Sequence, residues 1–331
     1  MTKVRVGVIG VGVLGRHHAR LYQQCENAEL IGVFDRSEDA VKKVADEFSI
    51  KAFTSDDELS SEVDALSIAV PTDLHLEVVT KFLNQGKHIL VEKPLASHSD
   101  QGIKLVELAR EKNLILQVGH VEHYNPVITY LSEKMNHPLF IESHRLASFP
   151  PPRPGLMPRG TEVGVVHDLM IHDLDLILHL VDSEVISVAA VGMPVLSPTE
   201  DIANVRLGFA NGCVANITAS RISAEQMRKI RVFQPDGYLS LDFGAQEGVI
   251  HKRSSTGISQ EEVPIESGNA LHKELQDFID CCKNFKDTGN LSEPPVSGAR
   301  AQKALKLADE IVELIFQHLE TSYPDLSEFI K

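Results

Sequence analysis

The 331-residue chain is 43% hydrophobic and sets 32 Lys and Arg against 47 Asp and Glu, a formal net charge of -15. Such a length supports two packed domains, while the acidic balance excludes a phosphodiester backbone as partner, since nucleic acid is held by basic surfaces that release its counterions. No apolar run approaches the roughly 18 residues of a membrane span, the strand-like Val4–Ile9 is too short for a secretory signal, and four cysteines without a CxxC pair suit a reducing cytoplasm.

Along the first third, apolar runs at Val4–Ile9, Leu30–Phe34, Ala65–Val70, Ile89–Val91 and Leu114–Val118 are bounded by turn residues. Between them, Leu74, Val78, Val79, Phe82 and Leu83, and then Ile103, Val106 and Ala109, recur at helical spacing. The alternation predicts parallel βαβ units in a doubly wound sheet. Gly10-x-Gly12-x-x-Gly15 follows the first run and opens a helix at Val13 and Leu14, where backbone N–H groups and the helix dipole can receive a pyrophosphate. Asp35 ends the second run about 20 residues later, as a carboxylate that bonds adenosine ribose hydroxyls would. A tight turn and a solvated Asp35 would explain each feature separately. Together they predict a dinucleotide-binding Rossmann domain over residues 1–120. Asp35 repels a 2′-phosphate whereas Arg36 attracts one, and on that balance NAD is expected over NADP.

Glu92-Lys93-Pro94 ends the fourth run, which puts Lys93 either at the ligand-binding carboxyl edge of the sheet or simply in solvent. After about residue 120 the pattern changes, and residues 121–331 read as a second domain. Phe149-Pro150-Pro151-Pro152-Arg153-Pro154-Gly155 predicts a long loop. Val163–Val181 reads as one apolar helix with Asp168, His172, Asp175 and His179 in a polar stripe. Asp168 one turn before His172 can orient the imidazole and raise its basicity as a proton acceptor. His167, Asp168, His172 and Asp173 spread around the helix without a familiar ligand spacing, so no metal is expected. Asn211-Gly212 and Pro235-Asp236-Gly237 each separate alternating runs, predicting hairpins and an antiparallel sheet. Two helices, 270–284 and 298–319, follow.

With these pieces in place, the chain resembles the glucose-fructose oxidoreductase, inositol dehydrogenase and rhizopine catabolism (Gfo/Idh/MocA) family over nearly its whole length. The stretches that carry the likeness are Val8 to Gly15 with Arg16-His17-His18, Val70-Pro71-Thr72-Asp73-Leu74-His75, Glu92-Lys93-Pro94, Asp168 to Asp173, and Pro294-Pro295-Val296-Ser297-Gly298. The resemblance implies that Lys93, Asp168 and His172 face a nicotinamide and carry the chemistry. It also implies that Pro71, Thr72, His75 and Glu92 join Gly10, Gly12, Val13, Leu14, Gly15, Asp35 and Arg36 along the cofactor. The second domain would then be an α+β domain with a large, mainly antiparallel open sheet that forms homodimers or homotetramers.

Many family members carry three glycines before the catalytic helix, where this chain has Thr161-Glu162-Val163-Gly164-Val165-Val166. With Gly119 to Pro126, this is similar to the nucleotide-sugar members, which oxidise C3 of UDP-N-acetylglucosamine and pass a keto sugar to an aminotransferase. Glu122, His123, Tyr124 and Asn125 become expected substrate contacts beside Lys93, Asp168 and His172, although His123-Tyr124 stands where Arg-Phe is frequent in that subgroup. The expected reaction is removal of a sugar hydroxyl proton by His172 as hydride passes to the nicotinamide, with Lys93 bonded to the developing alkoxide. An inositol-type polyol or an aldose is the alternative substrate. A non-catalytic dinucleotide sensor is the alternative role, and the presence of Lys93, Asp168 and His172 together argues against it.

Overall fold

A computed structural model describes residues 2–151, 163–255 and 257–324. Residues 152–155 of the proline-rich segment, and Thr161 and Glu162, lie outside the described residues. The chain forms two units, Met1–Tyr124 with Asn269–Leu305, and Asn125–Gly268 with Lys306–Lys331.

The first unit is a parallel sheet with helical crossovers. Its strands are β1 (Val4–Ile9), β2 (Ala28–Phe34), β3 (Lys51–Ala52), β4 (Ala65–Ile68), β5 (His88–Glu92) and β6 (Leu116–Gly119). They are ordered β3-β2-β1-β4-β5-β6, all parallel. The sequence order reverses between β1 and β4, the kind of switch point at which doubly wound sheets hold ligands. The crossovers are α1 (Val13–Tyr22), α2 (Glu38–Phe48), α3 (Asp56–Glu62), α4 (His75–Asn84) and α5 (Ser99–Glu111). Ser37 caps α2 by accepting from the Ala40 N–H, and α1 buries Gly15, His18, Ala19 and Tyr22 at helical spacing against the sheet.

The second unit holds α6 (Pro126–Lys134), β7 (Phe140–Leu146), a wide π-turn at Val166–Met170 and α7 (Ile171–Val181). Seven strands follow: β8 (Val185–Met193), β9 (Ile202–Phe209), β10 (Val214–Ser220), β11 (Met227–Gln234), β12 (Gly237–Asp242), β13 (Glu247–Ser254) and β14 (Gly257–Glu262). The eight strands run β14-β13-β12-β11-β7-β10-β9-β8 and are antiparallel except for the β7–β10 pair. Alternate residues of β9 and β10 are buried, so one face packs on a core that includes Leu174 and Ile177 while the other points outward. The Asn211-Gly212 turn joins β9 to β10 as the alternation predicts.

Two helices close the chain, α8 (Ala270–Thr288) and α9 (Gly298–Ser322). A single boundary at residue 120 is corrected here. Residues 269–305 return to the first unit, because Leu275, Phe278 and Ile279 of α8 bury themselves in one core with Val4, Val6 and Val8. Among the described residues no helix is long and apolar enough to cross a membrane.

Candidate active site

The carboxyl ends of β1, β2, β4 and β5 gather Gly10, Asp35, Pro71 with Thr72, and Lys93 along one edge of the first unit's sheet. Two of the three glycines answer to the protein itself. Gly10 has φ +85° with its missing Cβ only 2.6 Å from the Ala69 carbonyl oxygen, and a Cβ on Gly15 would stand 1.7 Å from the Gly10 oxygen. Gly12 differs, since a Cβ there meets nothing within 4 Å. Open space at Gly12 lies at the N-terminus of α1, which has no side-chain cap and no acidic residue in its first turn. Uncapped N–H groups at a positive helix end, with room in front, fit a dinucleotide pyrophosphate. Val13 is 59% exposed and Leu14 half-buried at that same turn.

Asp35 fits the ribose end of such a cofactor. One carboxylate oxygen accepts from the Val11 N–H at 2.8 Å and the other from the Ser37 N–H at 2.9 Å, pinning the charge beside the glycine loop. Arg36 is exposed. Pro71 is exposed and opens a 3-10 turn, Thr72–Leu74, in which Thr72 is half-buried.

His75 sits where the expected cofactor edge begins, yet it is buried with its ring nitrogens 2.9 Å from the Pro94 oxygen and 3.0 Å from the Val70 oxygen. Its polar atoms are engaged in clipping two loops together rather than turned to a ligand. Glu92 is likewise buried, with Oε1 3.0 Å from Nε2 of His18. Burial by itself would raise the Glu92 carboxyl, but His18, Lys93 and His75 together hold it below the usual carboxylate range. Lys93 follows, half-buried, joined to Pro94 by a cis peptide bond.

The expected substrate contacts are drawn into the fold. Tyr124 donates to the Asp277 carboxylate at 2.9 Å, and its hydroxyl also receives Gln117. Burial, with the neighbouring Asp277 and Glu274, pushes that phenol well above its usual range. Asn125 is 4% exposed, caps α6 by accepting from the Val127 N–H, and gives its amide N–H to the Phe243 oxygen. His123 lies against Arg300 at 3.1 Å, and Glu122 is buried.

In the second unit, Asp168 and His172 are half-buried and sit either side of the π-turn's end. The segment that carries them is gripped at both ends. At its start, the Val165 and Val166 N–H groups donate to the Glu200 main-chain and side-chain oxygens at 2.8 and 3.1 Å, and Arg221 donates to the Val163 oxygen at 2.8 Å. Arg221 also pairs with Asp201 at 2.7 Å, whose carboxylate accepts from the Val195, Leu196 and Ser197 N–H groups. Although burial opposes it, these bonds bring Asp201 down to about 2. Further along, Asp173 accepts from Ser143 at 2.7 Å and pairs with Arg145 at 2.6 Å, while His167 meets Asp309 at 2.8 Å. His167 and Asp173 thus serve the fold, Asp175 is buried and His179 is exposed, so the expected polar stripe does not share one surrounding.

Ser67, Glu200 and Arg221 escaped the sequence reading, and His18 entered it only as part of a family-like stretch, with no role of its own. His18 sits three residues after Gly15 on the buried face of α1, and its position there was the available signal.

Comparison with known proteins bears on the fold and the family. Residues 4–120 match the oxidoreductase family with NAD-binding Rossmann fold, and residues 133–240 match the Gfo/Idh/MocA C-terminal domain. UDP-N-acetylglucosamine 3-dehydrogenase of Acidithiobacillus ferrooxidans is 38% identical over 84% of this chain and 88% of its own. Its solved structure superposes with a TM-score of 0.86 over 96% of this chain and 100% of that one, at 35% identity. The NAD(+)-dependent scyllo-inositol 2-dehydrogenase of Bacillus subtilis is 27% identical over 86% of this chain and 87% of its own.

Proposed function

The chain belongs to the Gfo/Idh/MocA family of NAD-binding oxidoreductases, and on that footing we propose that it oxidises the C3 hydroxyl of UDP-N-acetylglucosamine to a keto sugar. The observation that carries the substrate is the 38% identity, over 84% of the chain, to a dehydrogenase of that nucleotide sugar, against 27% for the inositol enzyme. His172 accepts the hydroxyl proton, Asp168 orients His172 from one turn earlier, and Lys93 donates a hydrogen bond to the alkoxide as it forms. Bound NAD supplies the hydride acceptor. Glycine-loop N–H groups hold its pyrophosphate and Asp35 its adenosine ribose. Because Asp35 is fixed by two backbone bonds, it cannot swing aside for a 2′-phosphate without giving up both, which favours NAD over NADP.

A 3-keto nucleotide sugar is the substrate class of an aminotransferase, the expected functional partner. The four cysteines are free and buried, which supports a reducing, cytoplasmic setting. The test is absorbance at 340 nm with UDP-N-acetylglucosamine and either NAD or NADP. Turnover with NAD, and a loss of about a hundredfold or more in kcat for His172→Ala, are expected. Turnover with myo-inositol and none with the nucleotide sugar would move the assignment to the polyol.

A further inference from the structure

Resting on the proposed role of Lys93, we infer that His18 is a positioning residue for that lysine: held between Ser67 and Glu92, it fixes the carboxylate next to Lys93 and thereby sets where the lysine leaves the sheet. His18 is fully buried on α1, with Nδ1 2.7 Å from Ser67 Oγ on β4 and Nε2 3.0 Å from Glu92 Oε1 at the end of β5. The far side of the carboxyl is closed as well. Glu92 pairs across the sheet with Gly119, where a Cβ would come within 3.0 Å of Glu92 Oε2. A larger residue there would press on that carboxyl and on the Glu92 backbone.

The consequence concerns Lys93 on both flanks. His18 and Gly119 hold Glu92 before it, and His75 lies 2.9 Å from the Pro94 oxygen after it. The same His18 stands on the helix whose first turn faces the expected pyrophosphate, so one rigid element links cofactor loop and lysine. Stability alone is a poor reason for such a pair. A buried polar contact is often matched or bettered by apolar residues of equal volume, so its value here lies in geometry. Misplacement by about 1 Å can cost about a hundredfold in rate.

Two substitutions separate position from packing. A glutamine amide nitrogen reaches the Nε2 site, whereas that of asparagine reaches only the Nδ1 site. His18→Gln should keep kcat within about threefold, while His18→Asn should lose about tenfold or more with the Kd for NAD nearly unchanged. Amide hydrogen exchange across residues 92–96, read without substrate, should quicken in His18→Asn and not in His18→Gln. Equal losses that follow Tm, or a normal kcat and normal exchange in His18→Asn, would overturn the proposal. Should His18→Asn not fold, Glu92→Gln supplies the same comparison from the other side of the contact. Lys93→Met separates the premise: if it turns over normally the role of Lys93 fails, while exchange still judges His18.

Discussion

At the scale of single residues, burial outweighs the partners of His88 and His75, whereas at Glu92 and Asp201 the partners outweigh burial. His88 accepts the Ile115 N–H through Nδ1 at 3.1 Å and meets Phe285 edge-on at 4.8 Å. Burial lowers its pKa to about 4, and the charge of Asp64 offsets little of that. A histidine depressed in the folded state binds fewer protons than in the unfolded chain between about 6.5 and about 4. Its contribution is therefore whole above pH 6.5 and is lost as pH falls through that window, by about 3 kcal/mol in the limit. His75 shifts the same way, burial outweighing its carbonyl partners. Urea unfolding at pH 7 and pH 5 should show the drop. His88→Asn, which keeps an acceptor for Ile115 but does not titrate, should shrink it; an unchanged pH slope would assign the acid sensitivity elsewhere. This scale is also the least legible in sequence. Gly10 and Asp35 directly follow the ends of β1 and β2, and Gly15 lies in the first turn of α1, because their spacing is local. The contacts of His18 were not legible, since its partners lie 49 and 74 residues away in sequence and only the folded sheet brings them near.

At the scale of elements, the segment bearing Asp168 and His172 shows what periodicity misses. An unbroken 3.6-residue repeat predicts one helix over 163–181, yet Val166–Met170 form a π-turn before α7 begins. Glu200 and Arg221 fix the start of this segment and Asp173 is fixed to Arg145, so the backbone between absorbs an extra residue in a wider turn, a feature recurrent at functional sites. None of those anchors is local in sequence. β7 went unread for a related reason: Glu142, Ser143, His144 and Arg145 are all polar and show no apolar alternation, although Ser143 and Arg145 are the inward residues that meet Asp173. Gly164 offers a test. A Cβ there would stand 1.9 Å from Glu200 Oε1, so Gly164→Ala should cost about 1–3 kcal/mol and lower kcat, leaving the Kd for NAD unchanged because the glycine loop lies in the other unit. Glu200→Gln should be mild, since burial already raises the Glu200 carboxyl toward its neutral form and the amide oxygen still accepts from Val166. Unfolding measurements with kcat and NAD titration decide it; wild-type turnover in Gly164→Ala would detach this anchor from catalysis.

At the scale of the whole molecule, residues 269–305 return to the first unit through apolar side chains that any helix could carry, so no local pattern announces the return. The outward face of the second unit's sheet raises the question of assembly. Phe140, Phe233, Tyr238 and His251 stack ring on ring across β7, β11, β12 and β13, with centroids 5.6, 5.1 and 4.2 Å apart. Val191 and Met193, each 49% exposed, add apolar side chains on β8, beyond the polar Asn204, Arg206, Asn216 and Thr218 of β9 and β10. A net charge of -15 works against self-association, but Glu142 with Arg231 and Lys229 with Asp242 balance charge locally on this face. Large apolar patches on soluble proteins mark contact surfaces, and a self-complementary sheet face suits two-fold symmetry. A homodimer or homotetramer is the expected mass by light scattering after gel filtration. Val191→Asp with Met193→Asp replaces exposed side chains only, so both units should still fold while each copy of the interface buries two carboxylates. The mass should fall toward 36.5 kDa with NAD binding retained. A wild-type protein already at the monomer mass would leave this face to another partner, and an unshifted oligomer in the double variant would place the interface on a different surface.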